Sequence, residues 1–330
     1  MASKGRLITI LLLAATAVRA QQNEPLIPLQ VELLSRAVSK MPLMIAYDQG
    51  LYKKHGLDVK LWLPEAEYPG GIETAKEQPK RPDISVDGGT PMMVSIATNA
   101  AYPHRVILAS TDCKVRWHII GQKGLKSVDE LKGKRLGVSG MGAMTSFIAL
   151  LFAQRMKWDP VKDISIMSNA WRPIDLQNGL VDAFVADERY FATAKQAGFP
   201  ILADTSEWGA TIAGNSVRVE KTWLQDPKHR DAAKRFLEAT VEGLATFHQN
   251  REEAVRVMMK WHGMDRETAN VIYTQGMALQ RKPYPCYDGI KKTMELFDSN
   301  EMRKYKATDF YDDSILKEID QSGFIDKLYH

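Results

Sequence analysis

The chain has 330 residues, 45% of them hydrophobic and 25% charged, with a formal net charge of +4. That composition excludes disordered and collagen-like chains, and the length is enough for two core-bearing lobes.

At the start, Lys4 and Arg6 precede an apolar run from Leu7 to Ala17, and Val18-Arg19-Ala20 places small residues three and one positions before a cut after Ala20. Residues 1–20 therefore read as a signal peptide. The apolar run is only about half the roughly 20 residues of a membrane span, and no Cys follows the cut to make a lipoprotein. Cleavage removes Lys4, Arg6 and Arg19 and no acidic residue, so the balance falls from +4 to about +1. A basic excess directed at nucleic acid or a membrane surface then has no support. The two cysteines, Cys113 and Cys286, are expected as separate buried thiols, although an oxidising compartment would permit a bridge.

After a polar leader, Val31-Glu32-Leu33-Leu34 reads as a strand. Ser39-Lys40-Met41-Pro42 opens a helix with the stripe Leu43, Tyr47, Leu51, ended by Gly56. Leu57, Val59 and Leu61 alternate with charges as a second strand, so the chain begins strand, helix, strand. A Pro-, Glu- and Gly-rich interruption covers 64–82. Asp83-Ile84-Ser85-Val86 is then a short strand ending in Asp87-Gly88-Gly89-Thr90, with a helix from Pro91. Val106 to Ala109 and Trp117 to Ile120 are strands joined by a polar connector that suits a crossing between lobes. From Ser127 the rhythm restarts: a strand at 134–138, a helix over 143–156, a strand at 164–166, a helix over 175–180, and strands at 183–185 and 201–202. Helix dominates from Asp231 onward, with the stripe Ala233, Phe236, Leu237, Val241, Leu244. No repeat of 20 to 50 residues is visible.

Three segments carry a resemblance. Tyr47-Asp48-Gln49-Gly50-Leu51-Tyr52-Lys53-Lys54-His55-Gly56-Leu57-Asp58-Val59 is similar to a stretch of the nitrate, sulfonate, taurine and thiamine-pyrimidine type of ABC-transporter solute-binding proteins. Ser127 to Val138 and Leu176 to Phe184 agree in order and spacing. The resemblance implies a type II periplasmic-binding fold, an α/β architecture of two lobes joined by two crossings. One lobe would comprise 27–112 plus 209–330, the other 113–208. It also implies a monomer that captures a small molecule between the lobes, closes by a hinge, and delivers to the permease of an ABC transporter, with no cofactor. Together with the leader, it gives a periplasmic or secreted location.

In an α/β sheet the ligand sits beyond the carboxyl ends of the strands, which selects four loops. In the first, 35–41, Ser39, Lys40 or Met41 would touch a ligand, or would only cap a helix and face solvent. In the second, Gly88, Gly89 and Thr90 would bring backbone amides to a ligand, or form an ordinary capped Gly-Gly turn. The third runs from Ser139 through Gly140, Met141 and Gly142 to Thr145 and offers N–H donors at the positive end of a helix, a seat for an acidic group or carbonyl oxygen. It lacks the Gly-Lys-Ser/Thr ending and the dinucleotide glycine spacing. The fourth comprises 169–172 and 187–190. Trp171 or Tyr190 would stack on a planar ligand and Asp187 would bind an amine or hydroxyl, against the plainer pairing of these segments with one another, Asp187 or Glu188 with Arg172 or Arg189. Trp117 is either hinge packing or a cleft wall.

Two other classes compete. Fungal thiamine-pyrimidine synthases share the resemblance but carry a cysteine-rich cluster, which this sequence lacks. A ligand-sensing protein would need a separate receptor. The seven histidines are scattered without metal-ligand spacing, and there is no Gly-x-Ser-x-Gly elbow.

Overall fold

A computed structural model describes residues 25–34, 37–64 and 75–330. The leader, Ser35 and Arg36, and residues 65–74 of the interruption lie outside the described residues.

Among the described residues ten strands follow in order: β1 (Ile27–Leu33), β2 (Leu57–Trp62), β3 (Ile84–Gly88), β4 (Arg105–Ser110), β5 (His118–Gly121), β6 (Arg135–Val138), β7 (Ser165–Ser168), β8 (Ala183–Ala186), β9 (Ile201–Asp204) and β10 (Asn215–Glu220). They make two sheets, β2-β1-β3-β10-β4 and β7-β6-β8-β5-β9. In each, one strand runs against its neighbours: β10 is antiparallel to β3 and β4, and β5 to β8 and β9. The chain passes between the sheets twice, from β4 to β5 and from β9 to β10.

The helices are α1 (Met41–Asp48), α2 (Leu51–Lys54), α3 (Gly89–Thr98), α4 (Met144–Met156), α5 (Pro173–Gln177), α6 (Glu188–Gln196), α7 (Pro227–Gln249), α8 (Arg251–His262), α9 (Arg266–Gly276), α10 (Tyr287–Leu296), α11 (Ser314–Gln321) and α12 (Phe324–Lys327). The largest core packs Leu29, Val31 and Leu33 of β1 against Ile45 of α1 and against Phe236, Leu237 and Leu244 of α7. A second core under the other sheet joins Leu136 and Val138 to Phe147 and Phe152 of α4. The outer edge of β4 is covered rather than left open: Ile107 donates its N–H to the Phe310 carbonyl (2.9 Å) and accepts from the Asp312 N–H (2.9 Å). An unpaired edge strand invites association with another chain, and this segment removes that edge.

Four local readings change. The first helix breaks after Asp48 because Gly50 adopts a left-handed conformation (φ 69°), which separates α1 from α2. The helix at 175–180 begins two residues earlier, at Pro173, and ends at Gln177. Residues 188–190 begin α6 instead of extending a loop. Cys113 and Cys286 form a disulfide, with Cα atoms 5.4 Å apart. Their expected separation as free thiols is thus corrected: the chain path brings residues 173 positions apart into contact.

One surface cluster makes stability depend on pH. His55 sits between Glu242 (Nε2 to Oε1, 2.7 Å) and Glu238 (Nδ1 to Oε2, 3.4 Å), and Lys54 also reaches Glu242 (2.6 Å). Burial pulls the His55 pKa down, but hydrogen bonds to the two carboxylates outweigh it and leave the pKa raised. A raised folded-state pKa gives stability that is complete below the unfolded value of about 6.5 and is lost as pH rises through the folded value. We expect His55→Gln to cost about 1–2 kcal/mol at pH 6 and progressively less toward pH 9. Thermal melts of both proteins across that range check it; a pH-independent difference would show that the imidazolium charge contributes nothing.

Candidate functional site

A cavity of about 260 Å³ lies where the two sheets and the two passages meet. That is just below the roughly 300–1,000 Å³ of pockets that take drug-sized ligands, so its fit is to a small solute. Its wall is built at strand ends. Val38 and Ser39 follow β1, Asp87 and Gly88 end β3, Ser139 follows β6, Trp171 follows β7 and Asp187 follows β8. All five of these strands run in parallel sets, so their carboxyl ends converge on one place.

Each of the four loops supplies part of the wall, but not through every residue named from the sequence. Ser39, Gly88, Trp117, Ser139, Thr145, Trp171 and Asp187 line it. Lys40 does not: its side chain is 0% exposed behind the wall, with Nζ 3.8 Å from an Asp87 carboxylate oxygen. Met41 is buried in the main core. The Gly89 and Thr90 amides go to the second passage, donating to the carbonyls of Gly214 (2.8 Å) and Ala213 (3.0 Å), while the Thr90 hydroxyl meets that of Thr293 (2.9 Å). Met141 is 63% exposed at the loop tip. Gly142 faces α3, where a Cβ would stand 2.7 Å from Val94 Cγ1. Tyr190 stands behind Trp171, edge-on with ring centroids 4.8 Å apart.

These placements show the lobes in contact beside the cavity. A Cβ on Gly88 would lie 2.4 Å from Met144 Sδ, so the two glycine-bearing loops meet each other as well as the cavity. The Ser139 N–H is taken by the Thr145 hydroxyl (2.9 Å), leaving Ala143, Met144 and Thr145, at the positive end of α4, to border the space.

The passages add residues that the sequence reading did not name: Asp112, Lys114 and Arg116 from the first, and Ile212 and Gly214 from the second, with Asn215 where the second enters β10. Asp112 and Arg116 form an ion pair. Asn215 Nδ2 reaches the Ser39 carbonyl (3.4 Å), which also accepts from the Thr111 hydroxyl (2.5 Å), fixing the first loop to both passages. The signal for the first set was the polar connector itself. The wall thus carries both charge signs, with carboxylates at Asp87, Asp112 and Asp187 and cations at Lys114 and Arg116, alongside two indole rings. Asp187 is 8% exposed and accepts the Tyr190 N–H (3.2 Å). Arg172 pairs instead with Asp175 of α5 (3.4 Å), an acid outside the segments 169–172 and 187–190. Among the described residues no group of three or more His, Cys, Asp or Glu gathers as metal ligands.

Two lobes, two passages and a cavity between them are the geometry of the type II periplasmic-binding fold, and known structures share it. The periplasmic nitrate-binding protein NrtA from Synechocystis PCC 6803 superposes with a TM-score of 0.68 over 90% of this chain and 89% of its own, at 14% identity. The desulfurization enzyme DSZB superposes at 0.61 over 89% and 99%, at 13% identity. The chain belongs to the NMT1/THI5 like family, whose model matches residues 38–254. Among curated proteins it is similar to the bicarbonate transport ATP-binding protein CmpC of Synechococcus elongatus, 22% identical over 218 residues, or 60% of this chain. The chain spans about a third of the length of the curated relatives it matches.

Proposed function

We propose that this chain is an exported solute-binding protein that holds one small molecule between its lobes and passes it, as a monomer, to the permease of an ABC uptake transporter. The observation that carries the reading is the cavity itself, walled by strand-end loops of both sheets and by both passages, so that hinge closure would bury whatever it holds. Family membership and the likeness to a periplasmic nitrate-binding protein support it. Export to the periplasm rests on the reading of residues 1–20, and among the described residues no helix is long and apolar enough to cross a membrane. The mixture of carboxylates, cations and indoles suits a ligand with a planar or apolar body, an acidic or carbonyl head, and a donor such as an amine or hydroxyl.

The likeness to DSZB favours a second reading, an enzyme on the same fold. Native mass spectrometry of the purified protein separates the two. Binding predicts one small molecule per chain, released by denaturation and chemically unchanged after prolonged incubation with fresh protein. Conversion of that molecule would instead establish the enzyme.

A further inference from the structure

The two passages lie side by side as a short antiparallel ribbon. Lys114 bridges to Thr211, Val115 donates its N–H to the Ala210 carbonyl (3.2 Å), Ile212 donates to Cys113 (3.1 Å), and Thr111 donates to Asn215 (3.1 Å). Any hinge motion of the lobes must bend this ribbon. Helix α10, far along the chain, is fastened to both of its strands. Cys286, immediately before the helix, is disulfide-bonded to Cys113 of the first passage. Gly289, in its first turn, lies flush on the second passage, where a Cβ would stand 2.1 Å from the Ile212 carbonyl carbon and 2.5 Å from the Ala213 nitrogen.

The other end of α10 reaches the opposite lobe. Gln154 of α4 accepts from Lys292 Nζ (3.2 Å) and donates to the Glu295 carboxylate (2.7 Å). Leu296 and Phe297 pack on the core that contains Phe147 and Phe152 of the same helix. Because the first turn of α4 borders the cavity, α10 connects the disulfide and the hinge ribbon to one cavity wall.

We infer that α10 is a disulfide-tethered brace of the hinge, and that the redox state of Cys113–Cys286 sets how firmly the cavity holds its ligand. This rests on the binding reading of the cavity. With the bridge intact, the ribbon is fixed to α10 and the walls are pre-organised. With it cut, ligand binding must also order the ribbon, which lowers affinity.

The exchange chemistry is available. Cys286 is 4% exposed and Cys113 is partly exposed, so attack at Cys113 is the more open route. A thiolate of a dithiol reductant attacks Cys113 Sγ, forms a mixed disulfide and expels Cys286 as a thiolate, which takes up a proton. The second thiolate of the reductant then closes its own disulfide and releases Cys113, whose sulfur lies 2.9 Å from the Gln280 amide donor and takes up the second proton. Two electrons and two protons pass to the protein, and the dithiol leaves as a cyclic disulfide.

The test compares the oxidised protein, the same protein in dithiothreitol, the Cys113→Ser/Cys286→Ser double variant, and Gln154→Ala with the bridge intact. Hydrogen exchange at Val115 and Ile212 reports the ribbon without any ligand. Retention of the co-purified molecule during dialysis, read by native mass spectrometry, reports the cavity. We expect both forms lacking the bridge to stay folded by circular dichroism, to exchange at those amides about tenfold faster or more, and to lose the molecule about tenfold faster or more. Gln154→Ala should speed loss of the molecule while leaving ribbon exchange unchanged. Equal exchange with and without the bridge overturns the brace. Faster exchange with unchanged retention overturns the control of binding. If no form, oxidised included, retains a molecule, the binding reading fails and this inference falls with it.

Discussion

Gly137→Ala is expected to destabilise the protein by about 3 kcal/mol or more, the upper range for forced overpacking. Gly137 lies within β6 between β7 and β8, and a Cβ there would stand 1.6 Å from the Ala170 carbonyl oxygen and 3.2 Å from Val181 Cγ1. The first obstacle is backbone, so no side-chain rotation relieves it. Either β6 leaves its register or the loop after β7 lifts away, breaking the bond from the Ala170 N–H to the Val138 carbonyl (3.3 Å). That loop carries Trp171 to the cavity, so the same substitution should abolish ligand retention even where some fold survives. Urea unfolding measures the first effect, and a loss below about 1 kcal/mol would contradict the close approach.

Trp171→Ala should weaken binding of the co-purified molecule about 10- to 100-fold, the 1–3 kcal/mol of a buried aromatic anchor. Trp171 is one of the two indoles in the wall, and its ring is held edge-on by Tyr190, so little ordering is required when a ligand arrives. Met141→Ala is the matched control, since that side chain projects from the loop tip away from the wall. Calorimetric titration distinguishes them. Equal affinities for Trp171→Ala and the parent protein would remove the indole from the site.

Local pattern was enough to read most strands and the loops at their ends. Leu57, Val59 and Leu61 alternate because β2 lies with one face on the core, and Ser139, Gly140 and Gly142 are small where a strand turns into a helix. What escaped is fixed by partners distant in sequence. No strand is read from the sequence over 215–220, which contains the charged Arg218. That side chain is 2% exposed, bonded to the Gly88 carbonyl (3.0 Å) and the Ser85 hydroxyl (3.1 Å) across the sheet. Lys40 likewise looked like a solvent-facing or ligand-facing cation and is instead buried beside Asp87. The passage residues Asp112, Arg116 and Asn215 reach the wall only because the two crossings pair, and the Cys113–Cys286 bridge depends on the same folding-together. Loop positions were therefore legible from the chain, whereas the choice between wall, core and surface within each loop was not.

The central claim is reversible capture of one molecule between the lobes. Its most direct test is calorimetric titration of ligand-stripped, refolded protein with the molecule released from the native preparation, followed by recovery of that molecule. Saturation at one equivalent per chain, with the molecule recovered unchanged, is the predicted result; saturation at another stoichiometry or recovery of a converted product would contradict it.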